Sequence, residues 1–189
     1  MCANSADPDP ECRSFAPVAD DRTAVLVLGS MPGRESLRRR EYYGFPRNQF
    51  WSIAGECFGF DPSLPYRVRL DTLLAHGIGL WDVLAACERP ASSLDAAILA
   101  PVPNDIPGIL ARFPRIRRIC CNGTAAANYL AKFFPEIDTE IRHLPSTSPA
   151  AAMFSREEKL RVWREALTTP LPPRKTCRFR RGTASKRDR

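Results

Sequence analysis

The stretch AVLVLGSMPG, residues 24–33, joins a run of five apolar residues to a turn rich in glycine and proline. Because the run shows no alternation of polar and apolar residues, it is typical of a strand that is buried on both faces. Gly29 and Gly33 allow a tight turn and a close approach of backbone N–H groups to a ligand, and Pro32 fixes one dihedral angle. We therefore predict a central strand that ends in a ligand-binding turn.

The turn on its own does not identify the ligand. GSMPG, residues 29–33, has neither the GxGxxG spacing of dinucleotide-binding turns nor the GxxxxGK[ST] spacing of P-loops. Glycine turns that follow a first strand also occur as purely structural loops. The turn therefore indicates where a site would lie, and other parts of the chain must indicate its chemistry.

Further apolar runs alternate with helical patterns along the chain. Strands are predicted at residues 24–28, 77–84, 116–122 and 139–144. Helices are predicted at residues 48–58, 66–76, 105–113 and 124–134, and a last helix begins at Ser155, where Glu158 completes a capping box. This alternation predicts an α/β fold with a mostly parallel sheet covered on both faces, which binds ligands at the carboxyl ends of its strands.

The length of 189 residues suits one compact domain, which we place at residues 22–170. Residues 1–21 carry five acidic side chains and one arginine, and we expect them to form a flexible acidic extension. Residues 171–189 are expected to be a basic, disordered tail. No apolar stretch reaches the ~18 residues of a membrane span, and the start has no apolar signal core, so we expect a cytoplasmic protein that makes no membrane contact.

The distribution of charge indicates a polyanionic partner. The net charge is +7, and residues 173–189 hold eight basic side chains against one aspartate. Five more arginines follow the glycine turn, at Arg34, Arg38, Arg39, Arg40 and Arg47. Such clusters suit nucleic acid, although a solvated helix face gives the same pattern. Four later arginines could also reach a DNA backbone, but we assign them to a solvated loop: Arg112, Arg115, Arg117 and Arg118.

The seven cysteines show no CxxC motif and no Cys/His spacing suited to zinc or an iron–sulfur cluster. We therefore expect reduced thiols, no metal and no cofactor.

Five motifs in register resemble the uracil-DNA glycosylase superfamily, and most of all its hypoxanthine-DNA glycosylase branch. They are GSMPG (29–33), YYGFPRNQFW (42–51), GLWDVL (79–84), ICCNG (119–123) and LPSTSPA (144–150). The resemblance implies a four-stranded, mostly parallel sheet in a three-layer α/β/α fold. It also implies a monomeric, metal-independent enzyme that flips a deaminated base, chiefly hypoxanthine, out of DNA and hydrolyses its N-glycosidic bond.

The resemblance assigns roles to individual residues. The base pocket would be formed by Gly29, Ser30, Met31, Pro32, Gly33, Tyr43, Asp82 and Asn122. DNA would be bound by Arg47, Leu144, Pro145, Ser146, Thr147 and Ser148.

Two positions depart from the pattern of the uracil enzymes. Met31 stands where those enzymes often carry the Asp or Asn that orients the attacking water, and a thioether cannot do this. Leu144 stands where they carry a His or Asn that donates to the pyrimidine carbonyl. Asn48 is our candidate for the catalytic residue, because the hypoxanthine-DNA glycosylase branch that the chain resembles uses an Asn in this motif and because its amide oxygen can orient water. The alternative is that Asn48 only caps the following helix.

The pocket residues also have structural alternatives. Tyr43 would stack on the flipped base, whereas Tyr42 and Trp51 are expected in the core. Asp82 would accept a hydrogen bond from N1–H of hypoxanthine, or it would cap a turn. Asn122 would line the pocket, or its NG pair would form a turn.

Two other functions stay open at this stage. One is a uracil or mismatch glycosylase, and the other is a DNA-binding relative without catalytic activity. A Schiff-base lyase step is not expected, because neither GSMPG (29–33) nor LPSTSPA (144–150) contains a lysine.

Overall fold

The computed structural model describes residues 11–90 and 92–173. In chain order its elements are β1 (Glu11–Arg13), β2 (Val25–Gly29), α1 (Arg34–Arg39), α2 (Phe50–Phe58), α3 (Tyr66–Ala75), β3 (Ile78–Asp82), β4 (Leu84–Glu88), a 3-10 turn (Asp95–Ala97), β5 (Leu99–Pro103), α4 (Ile106–Arg112), β6 (Arg118–Asn122), α5 (Thr124–Phe133), β7 (Glu140–Leu144) and α6 (Arg156–Thr168). None of the helices in this part of the chain is long and apolar enough to cross a membrane.

The central sheet has four parallel strands in the order β3-β2-β6-β7. All five residues of β2 are buried, as the uninterrupted apolar run predicted. In the register, Val27 lies between Leu80 of β3 and Cys120 of β6. The predicted α/β class and the four-stranded parallel sheet are confirmed.

Helices cover this sheet on both sides. The chain runs from β2 to β3 in one direction across the sheet and from β6 to β7 in the other. Right-handed crossovers therefore place α2 and α3 on one face and α5 on the opposite face. Helix α6 packs against α2 and β7. Its predicted capping box is present, because Ser155 Oγ accepts from Glu158 N and Glu158 Oε2 accepts from Ser155 N.

A second sheet, which the sequence did not predict, has three antiparallel strands in the order β1-β4-β5. The single strand predicted at 77–84 divides at Val83 into β3 and β4. Val83 N donates to Gly29 O, and Leu84 N donates to Ser30 O. These two hydrogen bonds join the start of the second sheet to the glycine turn.

The prediction of a flexible extension over residues 1–21 is wrong for residues 11–21. Strand β1 pairs with β4, and Val18 forms a bridge with Leu80. The carbonyl of Phe15 accepts a hydrogen bond from Trp81 Nε1 at 3.0 Å. Backbone pairing thus holds this polar segment in place despite its few apolar side chains. Residues 1–10 and 174–189, which include most of the predicted tail, lie outside the described residues.

Arg118 is buried, so its assignment to a solvated loop is also wrong. Only 1% of the residue is exposed. Its guanidinium pairs with Glu140 at 2.8 Å and donates to the carbonyls of Ala166, Thr169 and Pro170. Arg118 therefore satisfies carbonyl groups at the end of α6 that have no partner within the helix.

Candidate active site

A cavity of about 450 Å³ lies at the carboxyl ends of the parallel strands. Gly29, Asp82 and Asn122 are the last residues of β2, β3 and β6, and all three line it. Its wall is formed by residues 29–36, 42–43, 45, 48, 82, 93–95, 122 and 146–150. This is the edge of the sheet where the sequence predicted a ligand.

The glycine turn is held from outside by side chains that the sequence did not single out. Ser30 Oγ donates to Asp95 Oδ1 at 2.5 Å, and Arg34 N donates to Ser93 Oγ at 3.2 Å. The Pro32 carbonyl accepts a hydrogen bond from the guanidinium of Arg89, which is buried. The loop that carries Ser93 and Asp95 therefore forms one rim of the cavity.

Met31 borders the cavity, but its side chain belongs to an apolar cluster with Leu84, Cys87 and Ile98. Only 6% of Met31 is exposed. Its local role is therefore to anchor the turn on the second sheet.

Asp82 lies at the floor of the cavity and is 3% exposed. Its Oδ2 accepts a hydrogen bond from Ser14 Oγ at 2.7 Å. Its Oδ1 lies so close to Gly29 that a Cβ at that position would be 2.4 Å away. Burial raises the pKa of Asp82 from 3.8 to about 7, while the hydrogen bond from Ser14 and the charge of Arg89 oppose the rise. Asp82 therefore changes its charge near neutral pH.

Tyr43 forms one wall of the cavity and has a positive φ of 56°. One face of its ring stacks on Phe50, with centroids 4.0 Å apart and 26° between the planes. Its buried hydroxyl has no hydrogen-bond partner among the described residues. Burial and the charge of Asp82 raise the pKa of Tyr43, and the nearby Asn122 opposes the rise. The Tyr43 hydroxyl thus lies near both the Asp82 carboxylate and the Asn122 side chain.

Two other aromatic residues of the YYGFPRNQFW motif lie in the core, as expected. Tyr42 and Trp51 are 3% and 5% exposed, and Trp51 Nε1 donates to the Tyr42 carbonyl.

Asn48 lines the cavity and also closes the turn that leads into α2. Its Oδ1 accepts a hydrogen bond at 2.9 Å from the backbone N–H of Phe50, the first residue of α2. The N-cap of α2 is Gln49, whose side chain makes no capping bond, so Asn48 supports the start of the helix from one residue before the cap. The same oxygen keeps a second lone pair, and the side-chain amide remains as a donor.

Asn122 fastens the end of β6 to the LPSTSPA motif, residues 144–150. Its Nδ2 donates to Thr147 Oγ1, and its Oδ1 accepts from Thr147 N, both at 2.9 Å. Thr147 is fully buried, and its carbonyl accepts from Gln49 N at 3.0 Å. These bonds hold three segments of the cavity wall together.

Only some of the DNA-binding residues expected from the sequence line the cavity. Ser146, Thr147 and Ser148 line the cavity, whereas Leu144 is a core residue that is 5% exposed. The Pro145 carbonyl accepts from Trp163 Nε1 at 2.9 Å. The exposed Arg47 lies over the Phe45 ring, outside the cavity wall. The Leu144 side chain therefore cannot contact DNA, which corrects that assignment.

Two arginines of α1, Arg38 and Arg39, lie at the surface and form ion pairs with Glu35. Glu35 accepts hydrogen bonds from Arg38 and Arg39, and these contacts lower its pKa to about 2. Glu35 therefore neutralises part of the positive charge that follows the glycine turn.

Comparisons with known proteins agree with this geometry. The family model of the Uracil DNA glycosylase superfamily matches residues 16–168. The chain belongs to the uracil DNA glycosylase superfamily. A hypoxanthine DNA glycosylase of Methanosarcina acetivorans is 38% identical over 148 residues, which are 78% of this chain and 92% of the relative.

Two further relatives support this membership. A hypoxanthine DNA glycosylase of Methanosarcina barkeri is 36% identical over 118 residues, which cover 62% of this chain and 74% of the relative. The solution NMR structure of a protein named as a uracil DNA glycosylase, from M. acetivorans, has a TM-score of 0.74 and 35% identity. It covers 83% of this chain and 96% of its own. Family membership and the cavity together confirm the resemblance that the five motifs indicated.

The site residues that the sequence missed come from two places. Ser14 lies in a segment taken for a flexible extension, and Arg89, Ser93 and Asp95 lie on or beside the loop that follows β4. No spacing in the sequence relates these residues to the glycine turn. Their contacts arise only because the second sheet folds back over it.

Proposed function

We propose that this protein is a metal-independent, monofunctional DNA glycosylase that removes deaminated bases, chiefly hypoxanthine, from DNA. The observation that carries the proposal is the carboxylate of Asp82 at the floor of a cavity of base-accommodating size, in a chain whose relatives are named hypoxanthine DNA glycosylases. A base within a duplex cannot reach such a cavity, so the target nucleotide must leave the stack.

Asp82 would select the deaminated base by the state of its ring nitrogen. Hypoxanthine carries a hydrogen on N1, which an ionised carboxylate accepts. Adenine, from which hypoxanthine forms by deamination, has a lone pair at N1 instead of a hydrogen, and this lone pair repels an ionised carboxylate. Ser14 already donates to Oδ2, so Oδ1 is the freer oxygen and would receive the N1 hydrogen.

Tyr43 and the LPSTSPA motif would hold the extruded nucleotide. Tyr43 has one ring face on Phe50 and belongs to the cavity wall, so the base would stack against the remaining face. Stacking of a base on an aromatic ring is worth ~1–3 kcal/mol. Ser146 and Ser148 supply hydroxyl groups for phosphate contacts, since Thr147 is already bonded to Asn122.

Asn48 would orient the water that attacks the sugar. Bond breakage leaves positive charge on the sugar, which a fixed amide oxygen stabilises. The bond to Phe50 N holds this oxygen in one position before the substrate arrives. An amide is no general base, so its contribution would be orientation and a fixed dipole.

The protein would act as a monomer in the cytoplasm. The five cysteines of the described residues, Cys12, Cys57, Cys87, Cys120 and Cys121, are free thiols, as is usual in a reducing compartment. Sedimentation at several concentrations tests the monomer.

The function is tested with oligonucleotides that contain a single deoxyinosine, deoxyuridine or G·T mismatch, followed by alkaline cleavage at abasic sites. Strand breaks chiefly at deoxyinosine are expected. Breaks chiefly at deoxyuridine or at the mismatch would favour the pyrimidine alternative, and binding without breaks would leave only a DNA-binding protein.

A further inference from the structure

Ser14 reaches the active site from outside the central domain expected from the sequence. It follows β1, and its backbone N–H donates to the Ala85 carbonyl at 2.8 Å. The next residue, Phe15, accepts hydrogen bonds through its carbonyl from Trp81 and Tyr42. The Ser14 hydroxyl is therefore held at a fixed position beneath the cavity, although 68 residues separate it from Asp82 in the chain.

The single hydroxyl hydrogen of Ser14 biases which oxygen of Asp82 carries a proton. Ser14 Oγ lies 2.7 Å from Asp82 Oδ2 and 3.5 Å from the Phe15 carbonyl, so the carboxylate is the better acceptor. While Oδ2 accepts this hydrogen it is the less basic oxygen, so a proton on Asp82 is favoured on Oδ1, the oxygen that lies against Gly29. Oδ1, the oxygen that would meet the base, then accepts a hydrogen bond when Asp82 is ionised and donates one when Asp82 is neutral.

We propose that Ser14 is a positioning residue that holds Asp82 in its acceptor state toward the base, so that the pocket selects a ring N–H over a bare ring nitrogen. This inference rests on the proposed glycosylase function. It makes strand β1 and the turn after it part of the active site.

Several charged or titratable groups face Asp82 from the elements around it. Arg89, after β4, and the hydrogen bond from Ser14 favour the carboxylate, whereas Asp95 disfavours it. Tyr42, Tyr43 and Tyr66 also interact with the Asp82 charge. Each is neutral near pH 7, since the ordinary tyrosine pKa of 10.0 lies well above it and burial raises it further. Removal of Ser14 should therefore raise the pKa of Asp82, and removal of the Asp95 charge should lower it.

The first test measures the titration of Asp82 directly, without DNA. The pH dependence of the Asp82 side-chain carboxyl ¹³C shift is recorded for the parent, Ser14→Ala, Ser14→Thr and Asp95→Asn. The Asp82 midpoint should rise by about one pH unit in Ser14→Ala, since a hydrogen bond to a charged group is worth about that much. It should stay near the parent value in Ser14→Thr and fall in Asp95→Asn. An unchanged midpoint in Ser14→Ala overturns the proposal.

The second test measures single-turnover excision of deoxyinosine from pH 5.5 to 9. The midpoint of the acid limb should move upward by about one pH unit in Ser14→Ala, with a rate near the parent's at high pH. Ser14→Thr should restore the parent profile. Ser63→Ala, the same change at an exposed serine outside the cavity wall, is the matched control and should leave the profile unchanged. A Ser14→Ala rate that falls equally at every pH means a merely structural role and overturns the proposal.

The two tests separate the two claims. If the parent excises no base at any pH, the proposed function fails, and the carbon titration still decides whether Ser14 controls Asp82. If the parent excises deoxyinosine and the Ser14→Ala profile does not move, the inference about Ser14 fails and the glycosylase proposal stands.

Discussion

Replacement of Asp82 by asparagine should stabilise the protein more at pH 8 than at pH 5. In the folded protein the carboxyl ionises only near pH 7, whereas the unfolded chain ionises near 3.8. Above pH 7 both states are ionised, and the folded state bears the full unfavourable free energy of burying the charge. Stability is therefore lost as the pH rises from about 4 to about 7.

The size of this effect follows from the difference between the two pKa values. At about 1.4 kcal/mol for each pH unit, the rise from 3.8 to about 7 corresponds to roughly 4 kcal/mol in the alkaline limit. Part of this penalty is already present at pH 5, so Asp82→Asn should gain about 2–3 kcal/mol more at pH 8 than at pH 5. Asparagine also keeps an oxygen that can accept the hydrogen bond from Ser14.

Urea unfolding of the parent and of Asp82→Asn at pH 5 and pH 8 measures this difference. Asp21→Asn, at an exposed position, is the control and should give the same small change at both pH values. The stabilised Asp82→Asn variant should also lose deoxyinosine excision, because stability and base reading oppose each other at this residue. An equal gain at pH 5 and pH 8, or a loss at pH 8, would refute the burial of a titrating carboxyl at this position.

Four further predictions concern separate parts of the molecule. Asn48→Ala should lose about 1 kcal/mol of stability and about 100-fold in turnover, whereas Asn48→Ser should keep a hydrogen bond to Phe50 N and still lose turnover. A Ser variant with parental turnover would remove Asn48 from the mechanism. Gly29→Ala should lose about 100-fold in excision through its clash with Asp82, and Gly33→Ala, with no atom closer than 3.9 Å, should lose far less. Arg118→Met should unfold about 3 kcal/mol more easily in urea, because carbonyls at the end of α6 lose their donor; an unaffected midpoint would contradict this role. Deletion of residues 173–189 should weaken DNA binding and flatten its salt dependence, and an unchanged salt slope would make the tail passive.

The central sheet could be predicted from the sequence because each parallel strand is a local apolar run. The uninterrupted run in β2 and the capping box at Ser155 are both short-range signals. The second sheet could not be predicted in this way. No glycine or proline marks the division at Val83 between β3 and β4, and β1 is held mainly by backbone pairing, which leaves no apolar pattern.

The site residues that lie at the ends of strands could be predicted from the sequence. The residues that the second sheet brings to the site could not. Gly29, Asp82 and Asn122 meet because parallel strands share an edge. Ser14 and Asp95 meet them through folding of the second sheet, which no local spacing encodes. Arg118 was misassigned for a related reason, since its partners lie 22 to 52 residues away in the chain.

The central claim is that the cavity beneath Tyr43 accommodates an extruded purine, whose N-glycosidic bond is then hydrolysed. The most direct measurement is the amount of free base that the parent releases from a duplex with one deoxyinosine, determined by mass spectrometry. Free hypoxanthine should appear in the same amount as abasic sites, and a duplex with deoxyadenosine at that position should release no adenine. Abasic sites without free hypoxanthine, or no release at all from a duplex that the protein binds, would contradict the account.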